Sequence, residues 1–80
     1  MKARVHVTLK NGVLDPQGKA IGHSLNRLGF GEVGDVRQGK YFELDLATSE
    51  AAEAKKLAAE VADRVLANPV IESYRIEVDA

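Results

Sequence analysis

Residues 2–10 read Lys-Ala-Arg-Val-His-Val-Thr-Leu-Lys, an unbroken alternation of polar and apolar side chains. Successive side chains on a strand point to opposite faces, so this run predicts a strand with Ala3, Val5, Val7 and Leu9 buried and Lys2, Arg4, His6, Thr8 and Lys10 wet. A sheet built on it needs a cover on one face only. The same period returns at the far end, where Tyr74, Ile76 and Val78 alternate with Arg75, Glu77 and Asp79. In the middle, Phe42, Leu44 and Leu46 alternate with Tyr41, Glu43 and Asp45. Residues 33–38 and 41–47 flank Gly39-Lys40 and are expected to form a hairpin. The first arm of that hairpin is irregular, because Val33 and Val36 stand three apart, and a bulge or short strand is expected near Gly34.

Two helices supply the cover. Ile21, Leu25 and Leu28 fall at i, i+4 and i+7 and share one stripe of a helix running from Pro16 to Leu28, with Gly29 suited to the left-handed position beyond its end. The second helix is expected to be capped by Thr48 or Ser49. Its buried stripe is Leu57, Val61 and Val65, flanked by Ala54, Ala58 and Ala62, and Asn68-Pro69 ends it. The order strand, helix, strand, strand, helix, strand is a ferredoxin-like α+β pattern, with both helices on one face of an antiparallel sheet. All of residues 1–80 are expected to form a single domain.

At 80 residues such a domain has little core, and the chain contains no cysteine for a disulfide. Self-association is the remaining source of stability. An even-numbered homo-oligomer, a dimer or a tetramer, is expected through the sheet edges or the polar sheet face. A formal charge of −1 without a basic stripe argues against nucleic acid as a partner. The N-terminal alternation is unlike a secretory leader, and no apolar run approaches the ~20 residues of a membrane span, so a cytoplasmic protein with no membrane contact is expected.

The stretch Gly12-Val13-Leu14-Asp15-Pro16-Gln17-Gly18 carries more than turn chemistry. Asp15 and Pro16 make an ordinary helix start. Val13 and Leu14 are apolar residues in a loop, and Gly18 sits in the first helical turn, where it costs about 1 kcal/mol relative to Ala. With Val7-Thr8-Leu9-Lys10 before it, the stretch resembles the N-terminal signature of the PurS family, the small subunit of phosphoribosylformylglycinamidine synthase. Leu28-Gly29-Phe30, Val36-Arg37-Gln38-Gly39-Lys40 and Leu66-Ala67-Asn68-Pro69-Val70-Ile71-Glu72 follow in register. The chain departs from the family pattern at Ser73-Tyr74 and Ala62-Asp63. The resemblance implies a non-catalytic subunit that brings a synthetase (PurL) and a glutaminase (PurQ) together for ammonia transfer in purine synthesis. It implies no cofactor on this chain, with ATP and magnesium on the synthetase.

The residues themselves show no convergent acid–base or nucleophile–base pair. His6 lies on a strand's polar face and His23 on the first helix, and both read as surface or interface histidines. Gly29, Gly31 and Gly34 spell G-x-G-x-x-G, but they follow a helix and open a strand, the reverse of a dinucleotide fingerprint. Arg37, Gly39 and Lys40 at the expected hairpin tip are candidates for partner contact, with a solvated turn as the alternative. Val13 and Leu14, apolar residues in the loop of the family-like motif, are further candidates, as are Val70 and Ile71, one of which is left on a wet face if that segment is already a strand. Asp15, Pro16, Gly18, Gly29, Asn68 and Pro69 serve structure. An ACT-like module binding a small regulatory molecule shares this order of elements and is the alternative function.

Overall fold

The computed structural model describes residues 1–79. Strand β1 (Lys2–Leu9) leads to helix α1 (Pro16–Arg27), strand β2 (Gly39–Asp45), helix α2 (Ala51–Val61) and strand β3 (Glu72–Val78). The three strands form an antiparallel sheet in the order β2-β1-β3. The alternation sets the register: Val5 lies between Phe42 and Ile76, and Ala3 between Leu44 and Val78, so the apolar sides of all three strands share one face. On the other face the charges pair with one another. Arg4 donates to Asp79 at 2.8 Å, Tyr41 donates to Glu43 at 3.1 Å, and His6 Nε2 lies 2.7 Å from Glu77 Oε1.

The first arm of the expected hairpin forms no strand. Residues 33–38 run as an unpaired strap, and Gly39-Lys40 are the opening residues of β2, opposite Thr8 and Val7, not a turn. The broken alternation at Val33 and Val36 cannot offer a sheet one apolar side, and the strap instead finds hydrogen bonds at the start of α1 and the end of β1.

Helix α2 packs on β1 and β3 through its alanines. Ala54, Ala58 and Ala62 are fully buried, whereas Leu57 is exposed and Val65 is 76% exposed. The expected stripe is thus rotated by about one residue, because only methyl side chains let the helix axis come this close to Ala3, Val5 and Val7. The helix begins at Ala51 without a side-chain cap, and the Thr48 hydroxyl instead accepts from the Glu50 N–H at 3.2 Å. Its last turn widens into a π-helical segment, Ala62–Leu66, closed by the Ala67 N–H donating to Ala62 O at 2.8 Å. The extra residue turns Leu66 onto the core.

Helix α1 makes no comparable packing on the strands, and Gly18 is its only buried residue. Both ends of its apolar stripe are exposed, Ile21 at 41% and Leu28 at 73%, with Leu25 half-buried between them. The molecule measures 48 × 26 × 14 Å, with a radius of gyration of 15.8 Å where a compact chain of this length has about 12 Å. Its surface is 5807 Å², against roughly 4,700 Å² for a self-contained monomer of this mass.

Candidate functional site: the joint that carries helix α1

The two motifs around residues 12–18 and 36–40 meet in space. One Asp15 oxygen accepts from the Gly18 N–H at 2.9 Å, as a helix cap should, and the other accepts from the Gln38 N–H at 2.8 Å. The Gln38 amide then donates to Gln17 Oε1 at 2.7 Å, and Arg37 Nη2 donates to the Leu9 carbonyl at the end of β1. At Gly18 a Cβ would overlap the Val36 carbonyl oxygen and lie 2.7 Å from Asp15 Oδ2. That explains the glycine in a first helical turn: the strap crosses the helix where a side chain would be. Gly39 is constrained in the same way, by the Val7 carbonyl. Gly29, at φ +94°, closes α1 in the left-handed conformation.

These backbone donors hold the Asp15 carboxyl below the ordinary carboxylate range, the Gln38 N–H first and the Gly18 N–H second. A carboxylate with a depressed folded pKa adds stability above its unfolded pKa, and that stability is lost as pH falls through the folded value. The joint is therefore expected to loosen in acid, below the usual carboxylate range. Asp15→Ala should reproduce the effect at neutral pH. Amide exchange should rise at both Gly18 and Gln38, with a melting temperature several degrees lower; faster exchange at Gly18 alone would reduce Asp15 to a simple cap.

Lys40 lies on the apolar side of β2, opposite Val7, and is not at a loop tip. Its ammonium donates to Leu66 O at 3.2 Å and stands 3.4 Å from Glu72 Oε2. Arg37 and Lys40 thus both make contacts within the chain, which corrects their placement at a solvated hairpin tip. Charge reversal at both is expected to lower the melting temperature. Unchanged melting with lost binding to other chains would show that their role is contact.

The turn after α2 is built in the same manner. Asn68 Oδ1 accepts from the Val70 N–H at 3.1 Å, and Glu72 Oε1 accepts from the Asn68 N–H at 2.7 Å. Val70 and Ile71 belong to this turn, ahead of β3, so strand alternation does not decide their exposure; Val70 is 78% exposed. The Lys10 N–H donates to Ile71 O at 2.8 Å and sets this turn beside the loop of Val13 and Leu14, with Leu14 64% exposed. Gln38 and Glu72 escaped the sequence reading. Glu72 had a signal, since it takes an apolar-side position in the β3 alternation and must find a partner there. Gln38 had none.

His6 is bonded to Glu77, whose carboxyl it holds below its ordinary range, and His23 sits on α1. Among the described residues no three His, Cys, Asp or Glu side chains converge as metal ligands, and no helix is long and apolar enough to cross a membrane.

Fold and surface together define a class: a small open-faced α+β module with more surface than a compact monomer of its size. The family model described as PurS: Phosphoribosylformylglycinamidine (FGAM) synthase matches residues 2–80, and the chain belongs to that family. It is 47% identical to the PurS subunit of phosphoribosylformylglycinamidine synthase from Bacillus subtilis, over 98% of this chain and 92% of that one. Crystalline PurS from Methanocaldococcus jannaschii, one of the subunits of formylglycinamide ribonucleotide amidotransferase, has a TM-score of 0.88 at 38% identity over 98% of this chain and 94% of that one. A chain of the PurLQS structure from Thermotoga maritima has a TM-score of 0.86 at 26% identity, over 95% of this chain and 93% of that one.

Proposed function

We propose that this chain is the small structural subunit of FGAM synthase, which joins PurL and PurQ so that ammonia released from glutamine reaches the synthetase. The reaction converts formylglycinamide ribonucleotide, ATP and glutamine into formylglycinamidine ribonucleotide, ADP, phosphate and glutamate. ATP and magnesium belong to the synthetase in this reading, and no residue of this chain acts on the substrates. The observation that carries it is the near full-length likeness to a chain within PurLQS, together with family membership.

The subunit works as a homo-oligomer. Its 5807 Å² of surface exceeds the monomer expectation by about 1,100 Å², more than the roughly 800 Å² each partner buries in a standard interface. Ile21 and Leu28 on the α1 stripe and Leu57 and Val65 on α2 and its last turn are exposed, while the charged groups of the polar sheet face are paired within it, so the helices are assigned the contact.

The test is reconstitution. Light scattering with both partner subunits should show a complex containing this chain. Glutamine-dependent synthesis should require the chain, while synthesis from added ammonia should need it far less. Full glutamine-dependent activity without the chain would overturn the reading, as would glutaminase or ATPase activity in the chain alone.

A further inference from the structure

The joint leaves a groove of about 580 Å³ between α1, the strap and the loop after β1, within the range of small-molecule sites. Lys10, Lys19, His23 and Arg37 border it, with two carboxylates, Asp15 and Asp35. The Asp15 oxygens are engaged by backbone N–H groups, and Arg37 is held by the Leu9 carbonyl. Lys10, Lys19 and His23 have no ion-pair partner among the described residues, unlike Lys2, Arg4, His6 and Lys40. Lys19 and His23 stand one turn apart on α1 and so present their donors along the same wall. Val13, Leu14 and Val36 add apolar lining beside them, and the side-chain amides of Asn11 and Asn26 lie at the border. Folding gives no reason for the exposed Leu14, beside the half-buried Val13, in the loop next to unpaired lysines.

We propose that this groove binds a small molecule of the nucleoside-phosphate class, with the phosphate between Lys10, Lys19 and His23 and the base against Val13, Leu14 and Val36. The Lys10 and Lys19 ammonium groups attract the phosphate, and the His23 imidazole offers it a hydrogen bond. The volume exceeds what phosphate alone would fill, and the apolar lining gives the base a surface to cover.

The purified oligomer, free of other subunits, is titrated with ADP, ribose 5-phosphate and inorganic phosphate at constant ionic strength, followed by amide chemical shifts and calorimetry. ADP should bind saturably at sub-millimolar concentration and shift the amides of Val13, Lys19 and His23. The two probes without a base should bind about tenfold more weakly or worse. Lys19→Glu with His23→Ala should weaken ADP by about tenfold or more, and Lys55→Glu on α2 should leave it unchanged. Non-saturating binding overturns the proposal, as does an equal loss in the Lys55 variant, which would mark general charge attraction. Inorganic phosphate binding as tightly as ADP overturns the nucleoside assignment. Because PurL and PurQ are absent from the assay, its failure leaves the structural-subunit reading untouched.

Discussion

Ile21→Lys combined with Leu28→Lys is expected to convert the purified homo-oligomer into a monomer that stays folded. Both side chains sit on the outward stripe of α1, where the monomer leaves them exposed, so their loss removes little from the fold of one chain. Lysine is also a good helix former, and at position 28, the C-terminal end of α1, its charge suits the helix dipole. In an assembly that buries this stripe, each lost side chain removes about 1.5–3 kcal/mol. Two positions in each of two copies then remove on the order of 6 kcal/mol or more, about 10⁴-fold in the dissociation constant. Light scattering should report the monomer mass, with the circular dichroism spectrum and unfolding cooperativity of a folded chain. An unchanged oligomer would move the interface away from α1.

Gly18→Ala should destabilise the protein although it improves helix propensity. Propensity alone would give about 1 kcal/mol in favour of alanine. The added methyl meets the Val36 carbonyl oxygen, and backbone cannot move aside as a flexible side chain can. Overpacking of this kind costs typically about 1–3 kcal/mol, so the strap must lift and the Asp15–Gln38 hydrogen bond must weaken. Gly22→Ala is the internal control. A Cβ there would lie 3.8 Å from Val36 Cγ2, an ordinary contact, so alanine should stabilise by about 1 kcal/mol. Urea midpoints of opposite sign at two glycines one turn apart would locate the close crossing. Stabilisation at both would mean that the strap does not hold α1.

The strands were legible because a single rule governs them. Ala3, Val5 and Val7 alternate with charged or polar neighbours, and the same period in β3 brings Ile76 and Val78 onto their face. The caps of α1 were legible too: Asp15, Pro16 and Gly29 answer local backbone needs that depend on nothing distant. The stripe of α2 was misread for a physical reason. Periodicity finds a row of large apolar residues, Leu57, Val61 and Val65, but a helix lying close to a sheet buries its smallest side chains. Sequence pattern does not state that distance.

The roles of residues 36–40 were hidden for another reason. Gly39-Lys40 between two β-like stretches has the local chemistry of a turn. Its conformation is decided instead by β1 pairing with β2 and by Asp15 accepting a hydrogen bond from a residue 23 positions away.

The sequence by itself determined the antiparallel sheet, the helix boundaries near Asp15, Gly29 and Asn68, and the family, because each depends on short-range periodicity, caps and residue identity. Only the tertiary structure decided that α1 stands away from the sheet with its apolar stripe exposed and that two distant motifs form one joint. An amphipathic period says that a helix will bury one face. Which surface covers that face depends on where the chain carries the helix, and a crossing between α1 and the strap sets that here.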